Sequence, residues 1–162
     1  RHFNQPVVVR ENNEGRFLDI PVDSGITIVS TASLEKVRDW MGLKDLDEAR
    51  RRFRATVEID GVPPFWEDIL FGVPGDEQSF RLGDLELICV GPRERCVVPT
   101  RDSMTGEVTP AFPKKFAAHR WEQVPGHSQL HDWGHGYFLS VDCRIAASSF
   151  GKIVRLGDQL TL

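Results

Sequence analysis

A cysteine flanked by arginines is the residue of this chain whose type and position most readily support chemistry. Cys96 follows an apolar, strand-like run and precedes a polar turn, and Arg93, Arg95 and Arg101 lie within a few residues of it. Cysteine reacts as the thiolate, and nearby positive charge favours that form. We therefore predict a functional thiol at Cys96, able to act as a nucleophile, a carrier of sulfur or a ligand for a soft metal.

The alternative for Cys96 is a small apolar residue in a strand, because free cysteines are often buried. That interpretation suits Cys89, which lies in the apolar run Leu87–Val90, and it is favoured less clearly for Cys143. Three cysteines without a CxxC pair do not form a disulfide framework. The predicted location is therefore the reducing cytoplasm, with Cys96 as a free thiol.

A second candidate is Arg54, which begins the strand-like run Ala55–Ile59 directly after a predicted helix. An arginine at such a junction can bind a phosphate, a carboxylate or an oxyanion through its planar fork of donors. The alternative is a basic helix end in solvent. That alternative fits the run Arg50–Arg52 well and Arg54 less well, because Arg54 belongs to the strand.

Two further clusters have weaker signals. Glu67 and Asp68 follow two aromatic residues and can orient an arginine or do acid–base work, but a turn with an acidic rim is the favoured interpretation. His127, His131 and His135 have the four-residue spacing that on a helix would suit zinc. Pro and Gly residues before and within that segment predict a loop instead, where the spacing loses its meaning.

Short strand-like runs separated by Gly and Pro must position these residues. Many alternate apolar with polar side chains, as half-buried antiparallel strands do. The runs are Val7–Arg10, Ile26–Val29, Ala55–Ile59, Leu85–Val90, Cys96–Val98, Tyr137–Val141 and Lys152–Leu156. Helices are predicted from Ser30 to Gly42, over Asp45–Arg52 and over Pro113–Arg120, from their caps, their apolar face or their charge order.

A similar short pattern occurs twice, as Arg81-Leu82-Gly83-Asp84 and as Arg155-Leu156-Gly157-Asp158. In both copies a Gly-Asp turn leads into a predicted strand. Two independent strand–turn–strand units are the favoured explanation, and two similar corners of one barrel are the alternative. The whole pattern predicts a mainly β protein, a β-barrel with a few short α-helices at its connections.

Composition limits the classes of function. With 162 residues the chain is predicted to form one domain over residues 1–162. A formal charge of −4 without charged blocks argues against nucleic-acid binding. Nothing approaches the run of about 18 apolar residues needed to cross a membrane, and Arg1–Pro6 does not resemble a signal peptide. The segment Gly72–Gly75 lacks the Lys-Ser/Thr of a phosphate-binding loop.

Taken together, these segments resemble the MOSC domain, named for the C-terminal domain of molybdenum-cofactor sulfurase. The similarity is nearest to the branch that includes the mitochondrial amidoxime-reducing component, and it is strongest over residues 26–162. The matching segments are Ser30–Leu34, Phe53-Arg54 through Gly61, Pro64–Asp68, Arg81–Asp84, Arg95–Gly106, Arg120 and Val154–Asp158.

The resemblance implies a β-barrel that binds molybdenum cofactor (molybdopterin), with Cys96 as the molybdenum ligand or as a carrier of sulfur. It implies that Arg54 and Arg95 hold the pterin phosphate or stabilise the thiolate, and that Thr100 and Asp102 shape the loop, Asp102 by accepting bonds from backbone N–H groups. Thr56, a further predicted cofactor contact, stands where that branch usually has Asn. Pro99 stands where it usually has Thr.

The amidoxime-reducing branch reduces N-hydroxylated small molecules with electrons from partner proteins, so the resemblance implies an oxidoreductase with such a partner. Two alternatives stay open. One is a sulfur-delivery domain with a persulfide on Cys96, loaded from a sulfur donor by a cysteine-desulfurase partner. The other is a non-catalytic domain that binds a small ligand. Pyridoxal phosphate is not expected within this domain.

Overall fold

A six-stranded sheet that curls into a half-barrel forms the centre of the fold. The computed structural model describes residues 25–162, and the predicted run Val7–Arg10 lies outside them. The sheet order is β2-β1-β5-β4-β3-β6; β1 and β2 are parallel and the other neighbours are antiparallel. The strands are β1 Ile26–Ser30, β2 Val57–Ile59, β3 Gln78–Leu82, β4 Leu85–Glu94, β5 Phe138–Ile145 and β6 Leu160–Thr161. The prediction of a mainly β fold with short helices is confirmed.

The three predicted helices are present, and local signals define the first two. Helix α1 is Thr31–Met41, α2 is Leu46–Phe53 and α3 is Phe112–Glu122. The hydroxyl of Ser30 accepts a bond from the Ser33 N–H at the start of α1, and Asp45 caps α2 in the same way. Gly42 ends α1 in the left-handed conformation with φ 61°.

The strands contribute side chains to two apolar cores, and neighbouring residues of one strand belong to different cores. Ile28 and Phe138 pack in one core, whereas their neighbours Val29 and Leu139 pack in the other. Side chains of a strand alternate between its two faces, which explains the division. Residues of all three helices belong to the second core, so the helices cover that face of the sheet.

Two predicted strands are wrong. Strand β4 ends at Glu94, and the segment Val98–Thr100 is a 3-10 turn in which Pro99 has no N–H for a sheet ladder. The run Lys152–Leu156 is exposed and pairs with no strand, and the chain joins the sheet only at Leu160–Thr161.

The two Leu-Gly-Asp turns meet at one corner of the sheet. Strands β3 and β6 pair, and the Gly83 N–H donates to the Gln159 carbonyl at 2.9 Å. A Cβ atom added to Gly83 would lie 2.7 Å from Asp158 Oδ2. The favoured explanation of two independent units is therefore wrong, since the copies pack against each other.

The predicted acidic rim at residues 67 and 68 is also wrong. Both carboxylates lie in a 3-10 turn, Trp66–Leu70, and are buried. Asp68 forms an ion pair with the buried Arg120, whose guanidinium lies 4.0 Å from the centre of the Phe65 ring. The less favoured interpretation, that an acid of this pair orients an arginine, describes Asp68 correctly.

Candidate functional site

Cys96 presents an exposed thiol immediately beyond the end of β4. The Val98 N–H donates to its sulfur with an N···S distance of 3.5 Å. The Tyr137 hydroxyl donates to the Cys96 carbonyl at 3.3 Å, which ties the residue to the chain just before β5. The residue is therefore held by contacts at both its sulfur and its carbonyl.

The other two cysteines are structural, as their apolar surroundings predict. Cys89 and Cys143 are fully buried and face each other across β4 and β5. The hydrogen bond with Cys89 and then burial raise the pKa of the Cys143 thiol. All three cysteines lie within residues 25–162, and among them Cys96 is the one whose thiol solvent can reach.

Arg95 holds a positive charge next to Cys96 and is anchored to helix α2. Its Nη2 donates to the carbonyl of Phe53, the last residue of α2, at 2.5 Å, and its guanidinium lies 5.4 Å from the centre of the Phe53 ring. Burial, followed by the charge of Arg93, lowers the pKa of Arg95 to about 10, so the side chain stays charged at neutral pH. Its buried Nε has no hydrogen-bond partner among the described residues.

Arg54 lies at the same end of α2 as Arg95. It is the C-cap residue, with a left-handed φ of 51°, and its side chain is exposed. Within residues 25–162 its guanidinium makes no hydrogen bond or ion pair. Because Arg95 binds the carbonyl of the preceding residue, the structure brings Arg54, Arg95 and Cys96 into one region. An arginine next to the thiol and a second arginine at the end of the same helix suit an anionic ligand.

Thr100 and Asp102 shape the loop that follows the cysteine. The Thr100 hydroxyl donates to the Val97 carbonyl at 2.6 Å. Oδ1 of Asp102 accepts from the N–H groups of Met104 at 2.9 Å and Thr105 at 2.8 Å, as the resemblance implies. These backbone bonds lower the pKa of Asp102. The loop therefore has a defined shape, whereas contact of either side chain with a cofactor stays a prediction.

Thr56 lies two residues after Arg54 and directly before β2. Its N–H donates to the carbonyl and the hydroxyl of Thr27, which join the starts of β1 and β2. It lines a groove of about 710 Å³ between β2 and the C-terminal segment, and Cys96 does not line this groove. A role of Thr56 beside the thiol gains no support from this placement.

Sequence reasoning missed the residue that connects α2 to the cysteine loop. A basic helix end in solvent describes the exposed Arg50 and Arg51 but is wrong for Arg52, which is 6% exposed. Arg52 donates to Glu48, four residues earlier, and to the loop. An acid and an arginine four residues apart are a sequence signal for such a pair, but Asp47 and Arg51 have the same spacing, so the signal does not single out Arg52.

The other arginines near Cys96 differ in their partners. Arg93 forms an ion pair with the buried Asp142 at 3.2 Å, whereas Arg101 donates to the uncharged Gly106 carbonyl at 3.1 Å. An acid therefore balances Arg93, while Arg95 and Arg101 contribute positive charge near Cys96.

The histidines of the 127–135 segment are dispersed. Residues 130–133 form a 3-10 turn, where His131 stacks on Trp121, while His135 stacks on Phe138 and contacts Glu94. No group of three or more His, Cys, Asp or Glu side chains is arranged to hold a metal ion in the described part of the chain. The loop interpretation is confirmed, and the zinc site gains no support.

Comparison with protein families agrees with this architecture. A model of the MOSC domain matches residues 9–161, which is most of the chain. The chain belongs to the MOSC domain family. MOSC domains are associated with molybdenum-cofactor binding and with sulfur chemistry. No curated protein matches the chain in a sequence search.

The residues of this MOSC domain fit such a cofactor. A thiolate is a soft ligand of the kind that binds molybdenum, and Cys96 is exposed. The unpartnered Nε of Arg95 and the free donors of Arg54 suit the negative charge of a phosphate.

In residues 25–162 no helix is both long and apolar enough to span a membrane.

Proposed function

We propose that this MOSC domain binds molybdenum cofactor, with Cys96 as the thiolate ligand of molybdenum, and reduces N-hydroxylated small molecules. One observation carries the proposal: the one exposed thiol among the described residues lies beside an arginine that is anchored to the end of α2, and a backbone N–H points at its sulfur. Cys96 is therefore accessible to a ligand and has a positive charge next to it.

Arg54 and Arg95 would bind the phosphate of the pterin. Arg95 contributes a charge that its bond to the Phe53 carbonyl keeps in place, and Arg54 adds donors from the exposed side. Thr100 and Asp102 keep the loop in the shape that presents Cys96. Thr56, which already bonds to Thr27, contributes least to this site.

The cofactor, when bound, supplies a two-electron reduction that breaks an N–O bond. A hydroxylamine, two electrons and two protons give an amine and water, and an electron-transfer protein is the proposed source of the electrons. In this proposal Arg54 and Arg95 bind the negatively charged phosphate, and the loop keeps the Cys96 thiol accessible. The protein thus contributes binding and orientation of the cofactor.

Metal analysis tests cofactor binding directly. Protein purified from a host that makes molybdenum cofactor should contain molybdenum, and Cys96→Ser should lose it. Cys89→Ala is the matched control, because it removes a buried thiol away from the loop. Full molybdenum content in Cys96→Ser would refute the proposed ligand, and zinc in place of molybdenum would refute the cofactor.

A reduction assay then tests the reaction. The molybdenum-loaded protein, supplied with a chemical reductant, should convert a benzamidoxime to the amidine, and Cys96→Ser should not. If the protein contains molybdenum but does not convert the benzamidoxime, cofactor binding is supported and the proposed substrate class is refuted.

A second candidate function is sulfur delivery, which the exposure of Cys96 favours. The Cys96 thiolate would attack the outer sulfur of a persulfide on a cysteine-desulfurase partner. A new S–S bond forms on Cys96, the partner's S–S bond breaks, and the partner leaves as a thiolate. Mass spectrometry should then show one added sulfur atom on wild-type protein and none on Cys96→Ser.

A further inference from the structure

The buried guanidinium of Arg52 connects helix α2 to both sides of the cysteine loop. Its Nε donates to Glu48 at 2.6 Å. Its Nη1 donates to the Pro99 carbonyl at 3.3 Å and to the Thr109 hydroxyl at 3.1 Å. Pro99 and Thr109 lie at the two ends of the loop, so one side chain holds both ends against one helix.

Glu48 keeps Arg52 in this position. The carboxylate is 3% exposed and accepts bonds from Arg52, from Arg51 at 3.1 Å, and from both the N–H and the hydroxyl of Ser103. Burial raises the pKa of Glu48, but bonds from Ser103, Arg52 and Arg51 together lower it to about 2. Arg52 therefore has a charged partner at neutral pH, and Ser103 adds a third attachment of the loop.

The attachment at Pro99 lies close to the thiol along the chain. Val98, the residue before Pro99, supplies the N–H that points at the Cys96 sulfur. The Thr109 N–H donates to the Thr100 carbonyl at 2.7 Å, so the far end of the loop is also joined to the turn. The direction of the Val98 N–H thus depends on where the turn Val98–Thr100 is held.

We propose that Arg52 is a positioning residue for Cys96: it holds the turn Val98–Thr100 against α2 and so keeps the Val98 N–H directed at the thiol. Arg52 makes none of the predicted contacts with the ligand, and it acts through the loop. The inference rests on the proposed function in one respect, that Cys96 is the group at which the domain acts.

The substitution Arg52→Lys tests this role in the cofactor-free protein. Lysine keeps the charge next to Glu48 but has no planar fork to reach Pro99 and Thr109 together. Site-resolved amide hydrogen exchange should become about tenfold faster for the loop amides, Val98 included, and stay unchanged for amides of β4 and β5. The rate of Cys96 alkylation by iodoacetamide at pH 7 should change severalfold, because the Val98 N–H that contacts the sulfur is no longer held in place.

Arg50→Lys is the matched control. Arg50 lies on the same helix and makes bonds of the same kind, to Glu58 and to Asp47 at 2.8 Å, but on the exposed side and away from the loop. It should leave loop exchange and the alkylation rate unchanged. If both variants behave alike, or if Arg52→Lys speeds exchange equally throughout the sheet, Arg52 stabilises the fold and does not position the loop.

Thr109→Val provides an independent test should Arg52→Lys fold poorly. It removes one acceptor of Arg52 on the loop side and keeps the shape of the side chain. Faster exchange confined to the loop supports the proposal, and unchanged exchange contradicts it. Neither measurement requires bound molybdenum, so absence of the metal would refute the proposed function without affecting this result.

Discussion

Asp68→Asn should lower the stability of this domain strongly, because it removes the charge that balances a fully buried arginine. Arg120 is 1% exposed, and its Nη2 donates to Asp68. Its Nε and Nη1 have no hydrogen-bond partner among the described residues. The Phe65 ring, 4.0 Å from the guanidinium, is the other stabilising contact. Asparagine can still accept a hydrogen bond, but it carries no charge.

The size of the expected loss in the free energy of unfolding follows from the lack of any other charged partner for Arg120 among the described residues. Breaking a buried ion pair from one side costs about 3–5 kcal/mol, because the remaining charge is left without compensation. For a domain of this size, that corresponds to a fall of about 10 °C in the melting temperature. Urea denaturation followed by circular dichroism measures the free energy of unfolding directly.

The neighbouring substitution Glu67→Gln is the matched control, and its effect on the free energy of unfolding should be opposite in sign. Burial raises the pKa of Glu67, and neither of its carboxyl oxygens has a hydrogen-bond partner among the described residues. The folded state therefore holds a proton that the unfolded chain releases, and stability falls as the pH rises above the ordinary value for glutamic acid. Glutamine cannot ionise, so Glu67→Gln should flatten this fall and be more stable than wild type at high pH.

The two variants together can refute the reasoning. A loss below about 1 kcal/mol in Asp68→Asn would mean that Arg120 is not held as an isolated buried charge. A variant Glu67→Gln with the same pH dependence as wild type would mean that the Glu67 carboxyl does not titrate above its ordinary range.

Three further predictions concern other parts of the molecule. Gly83→Ala should lower the free energy of unfolding by about 1–3 kcal/mol, because φ at Gly83 is 56° and the new Cβ would lie 2.7 Å from Asp158 Oδ2. Gly75→Ala is also at positive φ but has open space around it, so it should lower the free energy of unfolding less. Chemical denaturation measures both. Tyr137 is the only tyrosine, and burial raises its pKa to about 12, so absorbance titration should show no phenolate near pH 10 while the protein stays folded. Backbone bonds lower the pKa of Asp102, so they stabilise the loop at neutral pH and lose that effect on acidification. On acidification Asp102→Ala should lose less of its loop amide protection, measured against the intrinsic exchange rate at each pH, than wild type does.

Local signals predicted the helices well. The caps at Ser30, Asp45 and Gly42 act within a few residues of themselves, so they are readable without knowledge of the rest of the chain. The strands with clear alternation were also found. The failures at Cys96–Val98 and Lys152–Leu156 occurred where a run has strand-like composition but no neighbouring strand to pair with.

Part of the candidate site was predictable for a similar reason. The exposure of Cys96 and the backbone bonds of Asp102 follow from residues close in sequence. That Thr56 lines a groove which Cys96 does not line was not predictable, because the groove depends on the position of β2 at the edge of the sheet. Membership of the MOSC family was recognisable from dispersed segments, and the family comparison confirms it.

The sequence by itself determined the caps, the alternating strands and a thiol in a basic setting, because each depends on contacts between near neighbours. The tertiary structure decided which charged side chains are buried. Arg52 is buried by contacts with residues up to 57 positions away, and Arg120 pairs with an acid 52 positions earlier. Neighbouring arginines of α2 have the same residue type and similar surroundings in sequence, so only the packing of the loop against the helix distinguishes Arg52 from Arg50 and Arg51.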